Sequence, residues 1–102
     1  MSGEPLASIA FGGTIVGWRG PAPYLFVPVP AEHVGEIACA ARLASYGWGC
    51  VPVEARIGGM AFATSLFPRD GTYLLPVKVA VQKAEGIGLG DLVDIEIRVV
   101  AR

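Results

Sequence analysis

The stretch near the C-terminus constrains the fold of this chain more than any other. Between Leu92 and Val100, branched apolar residues alternate with charged ones. The apolar set is Val93, Ile95, Ile97 and Val99, and the charged set is Asp94, Glu96 and Arg98. An alternation of period two is typical of a strand with one face in a core and the other in water. The stretch therefore predicts a sheet whose inner face is covered by the rest of the chain.

Composition narrows the fold class. Of the 102 residues, 53% are hydrophobic and 17% are charged, which excludes a disordered chain and predicts one domain over residues 1–102. The 14 Gly and 8 Pro residues indicate short elements joined by turns, and this favours a mainly β fold. We expect residues 1–5 to be flexible.

The net charge and the N-terminal residues bear on the binding partners and the cellular compartment of the protein. The net charge of -1 argues against binding to nucleic acid or to an anionic membrane, because both require clustered positive charge. No apolar run reaches membrane-spanning length, and the N-terminus lacks the basic and apolar segments of a signal peptide. We therefore expect a cytoplasmic protein in which Cys39 and Cys50 are free thiols.

The first half of the chain predicts two strands and a helix. A strand covers Leu6 to Trp18, and Gly13 and Gly17 within it indicate a bulge or the close passage of another segment. A second strand from Tyr24 to Val29 pairs with it as a hairpin. A helix follows from about Pro30 to Ala44 or Ser45. Its inward stripe is predicted to consist of Val34, Ile37, Ala38 and Ala41.

The second half adds four strands and a short helix. A hairpin comes first, with strands at Val51–Ile57 and Met60–Phe67 joined by a two-residue turn at Gly58–Gly59. The next strand runs from Tyr73 to about Val79, and a helix at roughly Val77–Glu85 is ended by Gly86. A glycine-rich turn then leads to the last strand. Six short strands with one longer and one short helix predict a small barrel, because closure removes the unpaired edges of an open sheet.

Several short motifs occur in an order and spacing that resemble one bacterial family. They are Phe26-Val27-Pro28-Val29-Pro30, Trp48-Gly49, Val51-Pro52-Val53-Glu54-Ala55, Ile57-Gly58-Gly59, Thr64-Ser65-Leu66-Phe67-Pro68, Tyr73-Leu74-Leu75-Pro76-Val77-Lys78 and Gly90-Asp91. Together they resemble the domain of unknown function 1905 family over about residues 11–100. The resemblance implies a six-stranded double-split β-barrel, the architecture of AbrB-type DNA-binding regulators and MazE-type antitoxins. It implies no activity, and Gln82 stands where the family usually carries a basic residue.

Metal and catalytic chemistry find little support in the sequence. A metal site needs several converging ligands, but His33 is the only histidine and the two cysteines lack CxxC spacing. His33 and Cys39 lie six positions apart on the predicted helix, and hence on different faces. Ser65 is predicted within a strand and not at a strand-to-helix elbow, and the Gly-x-Ser-x-Gly motif is absent. We therefore predict no catalytic residue, no metal and no cofactor, and we favour a protein that is not an enzyme.

Three polar residues are candidates for ligand binding. Arg56 and Lys78 each interrupt an apolar strand pattern, and a barrel that brings them near Ser65 or Thr64 would form a pocket for an anion or carboxylate. The alternative is that both cations extend into solvent. Asp91 is interpreted as a turn residue whose carboxylate binds backbone amides. Five aromatic residues could line a pocket or stack on bases, but we expect them to fill the core or a subunit contact: Trp18, Tyr24, Tyr46, Trp48 and Tyr73.

Three functional hypotheses follow. The first is a non-catalytic barrel module that binds itself, another protein or a small ligand. The second is an AbrB-like dimeric DNA-binding domain, which predicts a basic patch that the near balance of charges disfavours. The third is a small enzyme or sensor that binds an anionic ligand through Arg56 and Lys78.

Overall fold

The structure, a computed structural model, describes residues 6–17, 24–44 and 49–100. Its elements are β1 (Ala7–Thr14), β2 (Val16–Gly17), β3 (Leu25–Pro28), α1 (Ala31–Ala44), β4 (Val51–Ile57), β5 (Met60–Arg69), β6 (Thr72–Pro76), α2 (Val79–Glu85) and β7 (Leu92–Val99). The mainly β fold with one longer and one short helix is confirmed. The predictions for residues 1–5, Trp18, Tyr46 and Trp48 concern positions outside the described residues.

The strand order is β1-β7-β4-β5-β6-β3-β2, and every neighbouring pair is antiparallel. β7 lies between β1 and β4, where Ile97 is level with Ile9 on one side and Ala55 on the other. The four branched residues of β7 are buried and its three charged residues are exposed. The one-sided burial predicted from this alternation is therefore confirmed. Burial of each such side chain contributes about 1.5–3 kcal/mol to the stability of the fold.

The sheet consists of two half-sheets. One contains β1, β7, β4 and the first part of β5, and the other contains the last part of β5, β6, β3 and β2. Two chain segments connect them. β5 pairs with β4 through Met60–Leu66 and with β6 through Phe67–Arg69. Only Ile15 separates β1 from β2, yet β1 pairs with β7 at one end of the strand order and β2 pairs with β3 at the other. The sheet therefore curls into a barrel-like shape, in which β1 and β2 stand at the two ends of the strand order and are joined through Ile15. The described residues form seven strands instead of six, because the bend at Ile15 divides the first predicted strand, and only its second part pairs with the next strand.

Two main-chain hydrogen bonds hold this bend, and a glycine beside it lets β1 approach β3 closely. The amide of Ile15 donates to the carbonyl of Asp91, and its carbonyl accepts from the amide of Gly90, both at 2.9 Å. A Cβ atom at Gly13 would lie 2.6 Å from Cγ1 of Val27. Only a glycine allows β1 to pass β3 at this distance, so of the two predicted alternatives, a bulge or a close passage, Gly13 marks a close passage.

Helix α1 packs against both halves of the sheet, with contacts to β1, β4, β6 and β7. Ile37 and Ala40 are buried, and Val34 and Ala41 pack partly buried against the core. Ala38 is exposed, so its prediction as part of the inward stripe is wrong. Ala38 stands about 100° around the helix from Ile37, whereas Val34 and Ala40 stand about 60° to either side of it.

Between β6 and β7, the strand ends earlier and the helix begins later than the sequence predicts. β6 ends at Pro76 and α2 starts at Val79, after an extended residue at Lys78. Gly86 ends the helix in the left-handed conformation, with φ of 64°, as its position predicts. The turn predicted at Gly58–Gly59 is confirmed. Neither helix among the described residues is long and apolar enough to cross a membrane.

Candidate ligand-binding site

Lys78 lies where β6 gives way to α2. The amide of Val77 still donates to the carbonyl of Leu25, at 2.9 Å, which anchors the strand end to β3. One residue later the carbonyl of Lys78 accepts from the amides of Val81 and Gln82, both at 3.0 Å, so α2 starts here. The Lys78 side chain does not cap the helix. It extends to β5 instead, where Nζ donates to the carbonyl of Ala63 at 2.6 Å.

This hydrogen bond bridges the gap between the two halves of the barrel. Among the described residues, the Met60–Leu66 half of β5 pairs only with β4, which leaves its other edge without a strand. The carbonyl of Ala63 points to that edge, since it accepts from Lys78. A lysine that bonds an edge carbonyl also protects the edge against pairing with other chains.

A groove follows this gap, and we call it the Lys78 groove. It has a volume of about 310 Å³ and is lined by Tyr24, Leu25, Thr64, Pro76, Val77, Lys78, Val79 and Gln82. Most of these side chains are apolar, and two are unusually open to solvent, Tyr24 at 61% and Val79 at 60% relative exposure. Two of the lining residues are joined by a hydrogen bond, since Nε2 of Gln82 donates to the carbonyl of Val77 at 2.9 Å. The groove thus combines one ammonium group with exposed apolar walls.

Ser65 lies close to this groove but lines a different surface. It stands opposite Pro52 in the β4–β5 register and borders a shallow depression of about 830 Å³. Thr64 borders both the depression and the Lys78 groove. Of the two hydroxyl residues named from the sequence, the structure brings Thr64 to Lys78.

Arg56 belongs to a third surface. In register it faces Ala61 of β5 and Glu96 of β7, and its side chain is exposed on the outer face of the sheet. It borders two depressions of about 430 and 180 Å³, and both of them also include Glu96. Arg56 and Lys78 therefore line separate cavities, because one side chain rises from a sheet face while the other crosses a sheet edge. A joint role of Arg56, Ser65 and Lys78 stays a prediction.

Asp91 shapes the turn before β7. Its Oδ2 accepts from the amide of Gly88 at 2.8 Å, and its amide donates to the carbonyl of Gly88 at 3.1 Å. The interpretation of Asp91 as a turn residue is confirmed. This turn also presents Leu89 and Leu92, at 68% and 76% relative exposure.

The remaining reactive residues are dispersed. Cys39 is exposed, Cys50 is half-buried, and neither forms a disulfide. The ring of His33 lies 6.1 Å from that of Phe11, with a side-chain exposure of 22%. Across residues 6–17, 24–44 and 49–100, no three His, Cys, Asp or Glu side chains are placed to hold a metal ion.

Sequence reasoning missed part of the Lys78 groove. Leu25 and Val79 follow no pattern that distinguishes them from core residues, and the carbonyl of Ala63 has no signal in the sequence. Tyr24 was among the aromatic residues considered, and it does line the groove. Tyr73 packs against the core instead.

The fold and the site define a class, a small mainly β barrel domain with a groove between its two half-sheets. The sequence profile of one family, the domain of unknown function DUF1905, matches residues 11–97. Because this match covers most of the 102 residues, the chain belongs to the DUF1905 family. No curated protein matches the chain.

Proposed function

We propose that the chain is a non-catalytic binding module whose ligand is a small molecule with an apolar body and one carboxylate. The observation that carries the proposal is the meeting of the Lys78 ammonium with exposed apolar side chains in one groove. Such a combination of apolar walls and one placed polar group is typical of small-molecule sites.

Lys78 supplies the polar contact. A lysine ammonium has three donors, and the carbonyl of Ala63 takes one of them. None of the ion pairs among the described residues includes Lys78. Two donors are therefore available to a ligand carboxylate, and the bond to Ala63 already restricts the side chain. Part of the entropy of ordering the lysine is lost before the ligand binds.

The walls supply the apolar contact. Tyr24, Leu25 and Val79 line one continuous groove together with the buried Val77. A volume of about 310 Å³ is near the lower limit for ligand pockets, which favours a ligand of roughly ten to fifteen non-hydrogen atoms. At about 0.3 kcal/mol per atom, such a ligand binds with a Kd on the order of 1 mM.

Arg56 has no part in this proposal, because Glu96 stands opposite it on the outer face of the sheet. The DNA-binding alternative gains no support from the described cations on that face, since Arg56 and Arg98 both alternate with carboxylates. Binding to the phosphate backbone of DNA requires a protein surface on which positive charge dominates.

Isothermal titration calorimetry with octanoate tests the proposal, and 1-octanol is the uncharged comparison. We expect saturable octanoate binding that Lys78→Met weakens about fivefold to tenfold, because a charge-assisted hydrogen bond at a solvent-exposed site is lost. Binding of 1-octanol should stay unchanged in this variant. Val79→Ser should weaken both ligands, since it removes part of the apolar wall.

Lys83→Met is the matched control, because Lys83 is the exposed lysine in the last turn of the same helix and does not line the groove. It should bind octanoate as the unmodified protein does. The proposal is wrong if octanoate shows no saturable binding, or if the two lysine variants weaken binding equally.

A further inference from the structure

A second surface lies on the outer face of β1, β7, β4 and β5. None of its residues lines the Lys78 groove, although the carbonyl of Ala63 at its edge accepts from Lys78. The strand registers align two rows of side chains across these strands. One row is Ser8, Arg98, Glu54 and Ala63, and the next is Ala10, Glu96, Arg56 and Ala61. All eight residues are exposed, so no described part of the chain covers them. We call these eight residues the charged sheet face.

The charges on this face alternate in both directions. Along β7 Glu96 precedes Arg98, and along β4 Glu54 precedes Arg56. Across the strands Arg98 stands beside Glu54 and Arg56 beside Glu96, so each cation has a carboxylate on two sides. The closest approach within one chain is 3.9 Å, between Arg98 Nη1 and Glu54 Oε1. The four charges sum to zero, and small residues flank them on both outer strands.

This pattern is complementary to a copy of itself. We propose that the charged sheet face binds the same face of a second copy of this chain, about a two-fold axis parallel to the strands between β7 and β4. That rotation places the β4 column of one copy over the β7 column of the other. Arg98 then lies over the partner's Glu54, and Arg56 lies over the partner's Glu96. Such isologous pairing is the commonest symmetry of homodimers.

The flanking residues fit the same arrangement. The rotation places Ser8 and Ala10 of β1 over Ala63 and Ala61 of the second copy. Because these side chains are small, only the central arginine and glutamate side chains limit how closely the two sheets approach. Long polar side chains on the outer strands would keep the copies further apart and would leave the central charges in bulk water.

The size of the face predicts a weak dimer. Four strands spaced about 4.8 Å apart, with two to three residues of each in contact, cover roughly 300–400 Å² per copy. The total is below the ~1,200 Å² that stable complexes bury. Because charge pairs account for most of the contact, association should weaken as salt is added. We expect a Kd between about 10 μM and 1 mM in low salt.

Sedimentation equilibrium of the full chain, at concentrations up to about 1 mM, measures this Kd. Arg56→Glu places two carboxylates over each other twice in the dimer, and we expect it to raise the Kd at least tenfold. Arg42→Glu is the matched control, with the same substitution at an exposed position on α1, and should leave the Kd within about twofold. Circular dichroism confirms that each variant is folded.

The double variant Arg56→Glu with Glu96→Arg provides the sharper test. It gives β4 two carboxylates and β7 two cations, so the proposed axis again places unlike charges over each other. The Kd should return to within about threefold of the original value. The unmodified protein should also show a Kd at least fivefold weaker in about 500 mM salt than in 50 mM. A chain that stays monomeric at about 1 mM, a salt-independent Kd, or no recovery in the double variant would overturn the proposal.

Discussion

Replacement of Gly13 by alanine tests the point at which β1 passes β3. The new Cβ would lie 2.6 Å from Cγ1 of Val27 and 3.4 Å from Cε2 of Phe11, whereas unstrained carbon atoms rest about 3.5–4.0 Å apart. Val27 is fully buried, and a β-branched side chain has few other rotamers. The two strands must therefore separate by about 1 Å. Overpacking of this kind costs about 1–3 kcal/mol, so we expect Gly13→Ala to lower the free energy of unfolding by about 2 kcal/mol.

Urea denaturation measures this difference. Gly12→Ala is the matched control, because its Cβ would make an ordinary contact, 3.5 Å from Oδ1 of Asp94, and we expect a change below about 0.5 kcal/mol. In a Val27→Ala background the obstructing methyl is absent, so Gly13→Ala should cost little. The predicted coupling energy between the two positions is about 1.5 kcal/mol. Equal costs at Gly12 and Gly13, or additive effects of Gly13 and Val27, would refute this reasoning.

Two further substitutions test the turns that hold the barrel. Gly58→Ala should lower the free energy of unfolding by about 1–3 kcal/mol, because Gly58 has φ of 60° and its Cβ would overlap the Glu85 carboxylate. Thermal denaturation should show part of this loss recovered when Glu85→Ala is added. Asp91→Ala removes the acceptor for the amide of Gly88 and should cost about 0.5–1.5 kcal/mol. Faster hydrogen exchange at Gly88 would accompany that loss, whereas Asp94→Ala on the outer face should leave this exchange unchanged.

Strands such as β4 and β7 could be predicted because their burial follows the period of two that their sequences show. In β7 every second residue is buried, so the side chains alone reveal the face. The bend at Ile15 could not be predicted in this way. Ile15 keeps the parity of Ile9 and continues the strand pattern, and only its main-chain bonds to Gly90 and Asp91 show that the chain leaves one half-sheet for the other. Those partners lie more than seventy positions away in the chain.

The candidate site also depends on contacts between residues that are distant in the chain, which periodicity does not reveal. The sequence drew attention to Arg56 and Lys78 because each interrupts an apolar pattern. Periodicity assigns a residue to a face, but it does not show which sheet edge a long side chain crosses. The bond from Lys78 to the carbonyl of Ala63 depends on the gap between the half-sheets, and that gap arises from the change of partner within β5. The error at Ala38 has a similar cause, since alanine tolerates either side of a helix.

Two-dimensional NMR of the ¹⁵N-labelled protein during an octanoate titration tests the central claim about the Lys78 groove most directly. We expect the largest changes in amide chemical shift at Leu25, Thr64 and Val79, and we expect them to follow one saturable curve. The amide signals of Arg56 and Glu96 on the charged sheet face should keep their chemical shifts. Changes that centre on Arg56 and Glu96, or that spread evenly over the barrel without saturation, would contradict the claim.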